Sequence, residues 1–310
     1  MDYIISHGHC PDGFVAAYIA KKRYPEAEVM FLDHGVKLDD IVGKLIDKDV
    51  LMTDFSLRTR EENILLFNST KSFHILDHHK SAKEVLEGLR FATFDMKRSG
   101  AGLTWDFLFG YEDFNFTVEN PFGAVALPSP RPWYVDYVED RDLWNHKLPE
   151  SREVNAFLGT LEFTFEAWDA MANDVTTPSR AAFLGYGSLA QINHYVREAV
   201  KQAQSGEFCG YKTAVLNVPY LNCSEVGNEL AKTHEVSLTY FERGDEMYQF
   251  SLRSIGDIDV SAVAKLFGGG GHKNAVGFQM PVFNGRELVD TILNRNVSVA
   301  SSNAPGPRHG

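Results

Sequence analysis

What this chain lacks narrows its identity first. It has three cysteines in 310 residues, Cys10, Cys209 and Cys223, and Cys10 stands far from the other two. An odd, scattered set argues against a disulfide framework and fits a reducing compartment, so a cytoplasmic location is expected. No apolar run approaches the length of a membrane span, and the first residues carry no signal-peptide core, so no membrane partner is expected. Positive charge is also scarce: 30 Lys and Arg against 42 Asp and Glu leave a net charge of −12. Such a surface repels long polyanions, which disfavours a grip on duplex DNA by a broad basic face. No internal repeat is visible.

What is present is ample for packed cores, with 44% hydrophobic residues. The length exceeds the usual single domain, so two domains are expected. The stretch that organises the chain is Phe73-His74-Ile75-Leu76-Asp77-His78-His79. An apolar strand runs straight into one carboxylate and two imidazoles, the place where open α/β sheets keep their chemistry. Upstream, Tyr3–Ser6, Val29–Leu32 and Val50–Thr53 read as further strands. They alternate with helices over Phe14–Arg23, Leu38–Ile46 and Arg58–Phe67. That alternation predicts βαβ units and a mostly parallel sheet with flanking helices. Each strand ends in Asp or His, and side chains at the carboxyl ends of neighbouring strands converge.

A segment Arg98-Ser99-Gly100-Ala101-Gly102 opens a helix. Its Ser and Gly either cap that helix or offer N–H groups to an anion, and capping is the simpler reading. The Pro-rich span 115–132 reads as an irregular connection, and helices are expected from about Val154 to Val200 with a break near Pro178. A smaller α/β domain follows. Its predicted strands are Ala214–Asn217, Val236–Tyr240, Met247–Arg253 and Val276–Met280, and its helices start near Ser224, Val260 and Glu287. The expected division is a catalytic domain at 1–190, a linker helix at 191–210, a second domain at 211–296 and a disordered tail at 297–310.

Four first-domain acids, Asp12, Asp54, Asp77 and Asp140, stand with His7, His9, His78 and His79. Carboxylates brought close together cannot all stay ionised without cations. Mixed oxygen and imidazole ligands suit Mn²⁺ first, with Mg²⁺ or Fe²⁺ behind it. Two such ions a few ångströms apart suit displacement at phosphorus.

At this point the chain resembles the DHH phosphoesterase superfamily. Asp77-His78-His79 is its namesake triplet. Asp12-Gly13 before Ala16-Ala17 is similar to its first motif, Asp54 to its second, and Asp140 within Glu139-Asp140-Arg141-Asp142-Leu143-Trp144 to its fourth. Ser251-Leu252-Arg253-Ser254 and Gly269-Gly270-Gly271-His272-Lys273-Asn274 resemble the DHHA1 substrate domain. Within the superfamily the chain resembles the nano-RNase or oligonucleotide phosphodiesterase-like members.

The resemblance implies two divalent ions, with Asp54 bridging them. His7, Asp12, His78 and Asp140 would complete the ligands, and Asp77 would orient the triplet without ligating. His79 would contact phosphate, and Arg253, Ser254, Gly269, Gly270, Gly271 and His272 would hold the substrate in a cleft between the domains. One departure stands out: Cys10 falls where an Asp is usual, and His7 lies one residue closer to Asp12 than is usual. Either Cys10 ligates as a thiolate and favours softer ions, or His7 or His9 takes that place, or Cys10 merely packs. The imidazole takeover, by His7, ranks first.

The expected activity is hydrolysis of short single-stranded oligonucleotides or dinucleotides to nucleoside monophosphates, with a homodimer allowed and long duplex DNA disfavoured. Exopolyphosphatase or nucleotide phosphomonoesterase activity is the enzymatic alternative. A nucleotide-binding regulator with a degenerate first motif is the non-enzymatic one.

Overall fold

The computed structural model describes residues 1–8, 10–33, 35–110 and 130–295. His9, most of the Pro-rich connection and the tail expected at 297–310 lie outside them. The chain forms two compact units, Met1–His194 and Tyr195–Gly310.

The first unit runs β1 (Tyr3–His7), α1 (Pro11–Arg23), β2 (Glu28–Leu32), α2 (Leu38–Leu45), β3 (Asp49–Thr53), α3 (Arg60–Ser69), β4 (Ser72–Asp77), α4 (Lys80–Leu86) and β5 (Ala92–Phe94). Helices α5 (Gly100–Phe109), α6 (Trp133–Asp142), α7 (Ser151–Leu158), α8 (Phe165–Asp174) and α9 (Pro178–Ala199) follow, and the division between the units falls inside α9. The sheet has the order β2-β1-β3-β4-β5, and every pair in it is parallel.

Period-two alternation builds a core on each face. Ile4, Leu51 and Leu76 point to one side, where α1 and α5–α9 pack. Ile5, Val50, Met52, Phe73 and Ile75 point to the other, against α2, α3 and α4. Helix α1 connects β1 to β2 on the first face, and α2 returns from β2 to β3 on the second. The chain therefore changes face beside β1, and the crevice at the carboxyl ends of β1 and β3 is the topological switch point.

Local signals set the helix starts. Pro11 occupies the first turn of α1, with Cys10 capping it through the Gly13 N–H, so Asp12 sits in the helix rather than in the preceding turn. Thr59 and Glu62 form a capping box at α3.

A buried histidine leaves a measurable mark on this unit. His74 on β4 is 1% exposed, meets Thr93 Oγ1 at 2.9 Å and stacks on Phe107. Burial lowers its pKa from 6.5 to about 4. Between those values the unfolded chain binds a proton that the folded chain refuses, so stability declines as pH falls through this window. The full loss from this one group is roughly 3 kcal/mol. Urea unfolding at pH 7 and pH 4.5 should show a smaller acid loss for His74→Gln than for the wild type; equal losses would refute this account.

The second unit carries β6 (Gln204–Phe208), β7 (Tyr211–Asn217), α10 (Cys223–Leu230), β8 (Val236–Glu242), β9 (Met247–Ser254), α11 (Ser261–Leu266), β10 (Gly270–His272), β11 (Ala275–Pro281) and α12 (Val282–Ile292). Its sheet has the order β10-β11-β9-β8-β7-β6, antiparallel except between β7 and β8. One sequence expectation changes here. The 191–210 segment is not one linker helix: α9 ends at Ala199 and 204–208 pair with β7 as an edge strand. The glycine run forms an edge strand of its own, because Gly270–His272 pair with Ala275–Gly277. At Gly271, with φ +135°, a Cβ would stand 2.5 Å from the Ala275 carbonyl oxygen, so this close hairpin requires glycine. Among the described residues, no helix is long and apolar enough to cross a membrane.

Candidate metal centre

The switch point collects the first unit's acids. Asp54 follows β3 and donates its backbone N–H to Leu76 of β4. Its φ is +53°, the left-handed region that Asp tolerates better than most residues. Below it, the Ser6 hydroxyl donates to the Gly13 carbonyl at 2.6 Å and accepts from Thr53 Oγ1 at 3.1 Å, tying β1, β3 and the first turn of α1 together.

The His78 ring sits at the centre. Its Nε2 lies 3.1 Å from Asp54 Oδ1, 3.5 Å from Asp12 Oδ2 and 3.5 Å from Asp142 Oδ2. On the other side of Asp54, Oδ2 is 3.5 Å from Cys10 Sγ, which is 3.3 Å from His7 Nδ1. One carboxylate thus touches two donor sets, Asp12-Asp54-His78 and His7-Cys10-Asp54, each with its ligand atoms within 4.8 Å of one another.

Asp77 stands behind the triplet. Its Oδ1 accepts from the backbone N–H of His78 at 2.7 Å and of His79 at 3.0 Å, and meets His79 Nδ1 at 2.8 Å. Its Oδ2 accepts from the Ser56 hydroxyl at 3.0 Å. Burial alone would raise this carboxyl, but the His79 charge and these hydrogen bonds hold it well below the usual carboxylate range. The same pairing raises His79 against the effect of burial.

The electrostatics of the centre run the opposite way. Burial pushes the Asp12 carboxyl up to about 6, and the Asp142 charge adds to the rise. Burial and Asp12 raise Asp54, and burial raises Asp142, which the His78 charge only partly offsets. His78 is held well above an ordinary imidazole because the Asp54, Asp142 and Asp12 carboxylates overcome its burial. Burial, then the Asp54 and Asp12 charges, raise the Cys10 thiol well above its usual value. Asp54 Oδ1 and Asp142 Oδ2 are buried and accept no hydrogen bond of good geometry. Several carboxylates crowded around a single imidazole are the environment a divalent cation relieves, so these residues fit one.

The structure brings together His7, Cys10, Asp12, Asp54, His78 and His79, with Asp77 behind them. It does not bring Asp140. Both Asp140 oxygens accept backbone N–H groups instead, from Lys147 at 2.9 Å and Leu148 at 3.3 Å, where they close the turn after α6. Asp142, at the last position of α6, reaches His78 in its place. Both residues lie in one acidic run, and only the phase of α6 decides which carboxylate faces the centre.

A second feature escaped the sequence. The Ser99 side chain does cap α5, accepting from Gly102 N–H at 3.1 Å, but the same turn also binds an anion that belongs to the chain itself. Gly100 N–H and Ala101 N–H donate to the two Asp12 oxygens at 2.6 and 3.0 Å. A buried ionic cluster anchors that helix start. Asp106 pairs with Arg98 at 2.8 Å and Arg131 at 2.7 Å. Glu139 joins both arginines and takes the Ser99 N–H at 3.1 Å. Such clusters add little net stability, but they fix orientation.

In the second unit, the Arg253 guanidinium bonds Ser224 Oγ at 2.8 Å and the Leu252 carbonyl at 3.1 Å. Ser254 donates to the Ile258 carbonyl at 2.8 Å and accepts from Asn274 at 2.8 Å, so its hydroxyl latches β9 to the glycine hairpin.

Residues 211–297 match the DHHA1 domain family. An uncharacterized protein of Acanthamoeba polyphaga mimivirus is 28% identical over 306 residues, spanning 89% of this chain and 67% of that protein. A 3′,5′-cyclic-nucleotide phosphodiesterase of Helicobacter pylori is 21% identical over 341 aligned positions, spanning 91% and 94%. RecJ of Thermus thermophilus, solved in complex with Mn²⁺, superposes with a TM-score of 0.52 at 16% identity, over 94% of this chain and 51% of that one. That likeness is one of fold. Residues 211–297 are thus a DHHA1 domain, and its place after a parallel sheet whose fourth strand ends at the Asp77 of Asp77-His78-His79 supports the chain's resemblance to the DHH phosphoesterase superfamily.

Proposed function

We propose that the chain is a divalent-metal-dependent phosphodiesterase that cleaves dinucleotides or short single-stranded oligonucleotides and releases nucleoside monophosphates. The observation that carries this reading is the convergence of Asp12, Asp54 and Asp142 on His78 Nε2, three carboxylates around one imidazole. Asp12, Asp54, Asp142 and His78 would hold one ion, and Asp54 would share a second with His7 and Cys10. When bound, such ions lower the pKa of a bound water and neutralise charge on phosphoryl oxygens.

The chain's own residues do the rest. Gly100 and Ala101 fix Asp12 before substrate arrives. Asp77 fixes the His79 ring and favours its protonated form, which suits it to donate a hydrogen bond to a phosphate oxygen. Arg253 and the Gly269–His272 segment are proposed to hold the rest of the substrate. The net charge of −12 supports short substrates over tracking along polymers.

The test is a panel of dinucleotides, short single strands, long duplex and polyphosphate with Mn²⁺ or Mg²⁺, scored for nucleoside monophosphate against free phosphate. Short nucleotide substrates should turn over fastest. Faster cleavage of long duplex, or activity confined to polyphosphate, would overturn the substrate assignment. In the same panel Arg253→Ala should raise KM with a smaller effect on kcat, the signature of uniform binding.

A further inference from the structure

We propose that Cys10 is a metal-ligating thiolate, so that His7, Cys10 and Asp54 form a mixed nitrogen, sulfur and oxygen site selective for a borderline ion of the Zn²⁺ or Fe²⁺ class over Mn²⁺ or Mg²⁺. This rests on reading the Asp54 cluster as a metal centre.

Three observations converge on it. The first is spacing. A tetrahedral ion with bonds of about 2.3 Å to sulfur and about 2.0 Å to nitrogen or oxygen sets its ligand atoms roughly 3.5 Å apart. Cys10 Sγ lies 3.3 Å from His7 Nδ1 and 3.5 Å from Asp54 Oδ2. The second is rigidity: Gly13 N–H donates to Sγ at 3.2 Å, and the cap of α1 therefore fixes the sulfur before any ion arrives. A backbone N–H donated to sulfur also stabilises the thiolate form. The third is Asp54 itself, 1% exposed, with Oδ2 toward the sulfur and a buried Oδ1 that accepts no hydrogen bond of good geometry.

Ligation replaces the thiol proton with the metal. The S–H bond breaks heterolytically, the sulfur keeps the electron pair and donates it to the ion, and the proton leaves to solvent. No oxidation is involved. A thiolate is a softer ligand than the carboxylate usual at this position and shifts preference from Mn²⁺ toward Zn²⁺ or Fe²⁺. The neighbouring Asp12-Asp54-Asp142-His78 set remains oxygen-rich, so the two halves of the centre prefer different ions.

The test uses the full chain stripped of metal and titrated with Co²⁺, a spectroscopic stand-in for Zn²⁺. The wild type should develop a near-ultraviolet sulfur-to-cobalt charge-transfer absorption that Zn²⁺ displaces. Cys10→Ser should lose it, while Cys209→Ser and Cys223→Ser keep it. Bound Zn²⁺ should also slow alkylation of Cys10 by iodoacetamide. Ser is itself a good N-cap, so Cys10→Ser should fold, and circular dichroism checks this. Cys10→Asp, which restores an oxygen ligand, should lower the Zn²⁺ to Mn²⁺ affinity ratio by about tenfold or more. Cobalt that binds without the absorption, or an absorption that survives in Cys10→Ser, would overturn this inference and leave the metal centre standing. Failure of Mn²⁺, Co²⁺ and Zn²⁺ alike to bind the wild type would overturn both.

Discussion

Asp54→Asn should stay folded and lose metal-dependent hydrolysis by at least about two orders of magnitude, the scale on which removal of a single charge-stabilising group acts. The substitution keeps the shape of the side chain and suits the backbone, because Asn, like Asp, tolerates the φ of +53° found here. What it removes is the carboxylate that, among the described residues, faces both donor sets, with Oδ1 at 3.1 Å from His78 and Oδ2 at 3.5 Å from Cys10. No neighbouring oxygen can take both places. A binding readout should move with activity: Mn²⁺ should raise the melting temperature of the wild type by mass action and that of Asp54→Asn far less. Turnover close to wild type, with the metal-induced shift intact, would remove Asp54 from the centre.

The second large effect is expected at Gly100, which carries no functional group at all. A Cβ there would stand 2.4 Å from Asp54 Cβ and 2.7 Å from its Cγ. Neither atom can yield, because Asp54 is buried and its backbone is bonded to β4. Gly100→Ala must therefore displace the start of α5 or the carboxylate. The overpacking should cost about 1–3 kcal/mol. It should also weaken metal binding, because the Gly100 N–H that holds Asp12 moves with the helix. Gly43→Ala in α2 is the control. Nothing lies within 4 Å of its Cβ position, and it should be neutral or stabilising by under about 1 kcal/mol. If chemical denaturation and Mn²⁺ titration find the two variants alike, the close approach of α5 to Asp54 is not a constraint.

The parallel sheet was legible because buried strands announce themselves: Ile4-Ile5, Val50-Leu51-Met52 and Ile75-Leu76 each feed both faces. The polar ends of those strands gave most of the centre, since the carboxyl ends of neighbouring parallel strands converge whatever the loops between them do. What stayed hidden depends on phase or on the main chain. Asp140 and Asp142 differ by two positions on one helix, and no local pattern says which side of α6 meets His78. The α5 amides carry no residue-type signal. Short or polar elements were missed for a related reason: β5 has three residues, α4 buries only Leu86, and β6 is a largely exposed edge strand. The glycine run pairs as a strand through backbone bonds that its composition does not advertise.

The hold that α5 has on Asp12 also bears on how the protein breathes. The first amides of a helix have no intrahelical acceptor and ordinarily trade their hydrogens with water quickly. Here those of Ser99, Gly100, Ala101 and Gly102 are taken by Glu139, by the two Asp12 oxygens and by the Ser99 hydroxyl. The Ser99, Gly100 and Ala101 amides cannot exchange until α5 parts from α6 or α1 at that corner, whereas Gly102 needs only its own cap to fray. The deuterium uptake of the first three amides is therefore a clock for the opening of the centre, read from the backbone in the absence of substrate.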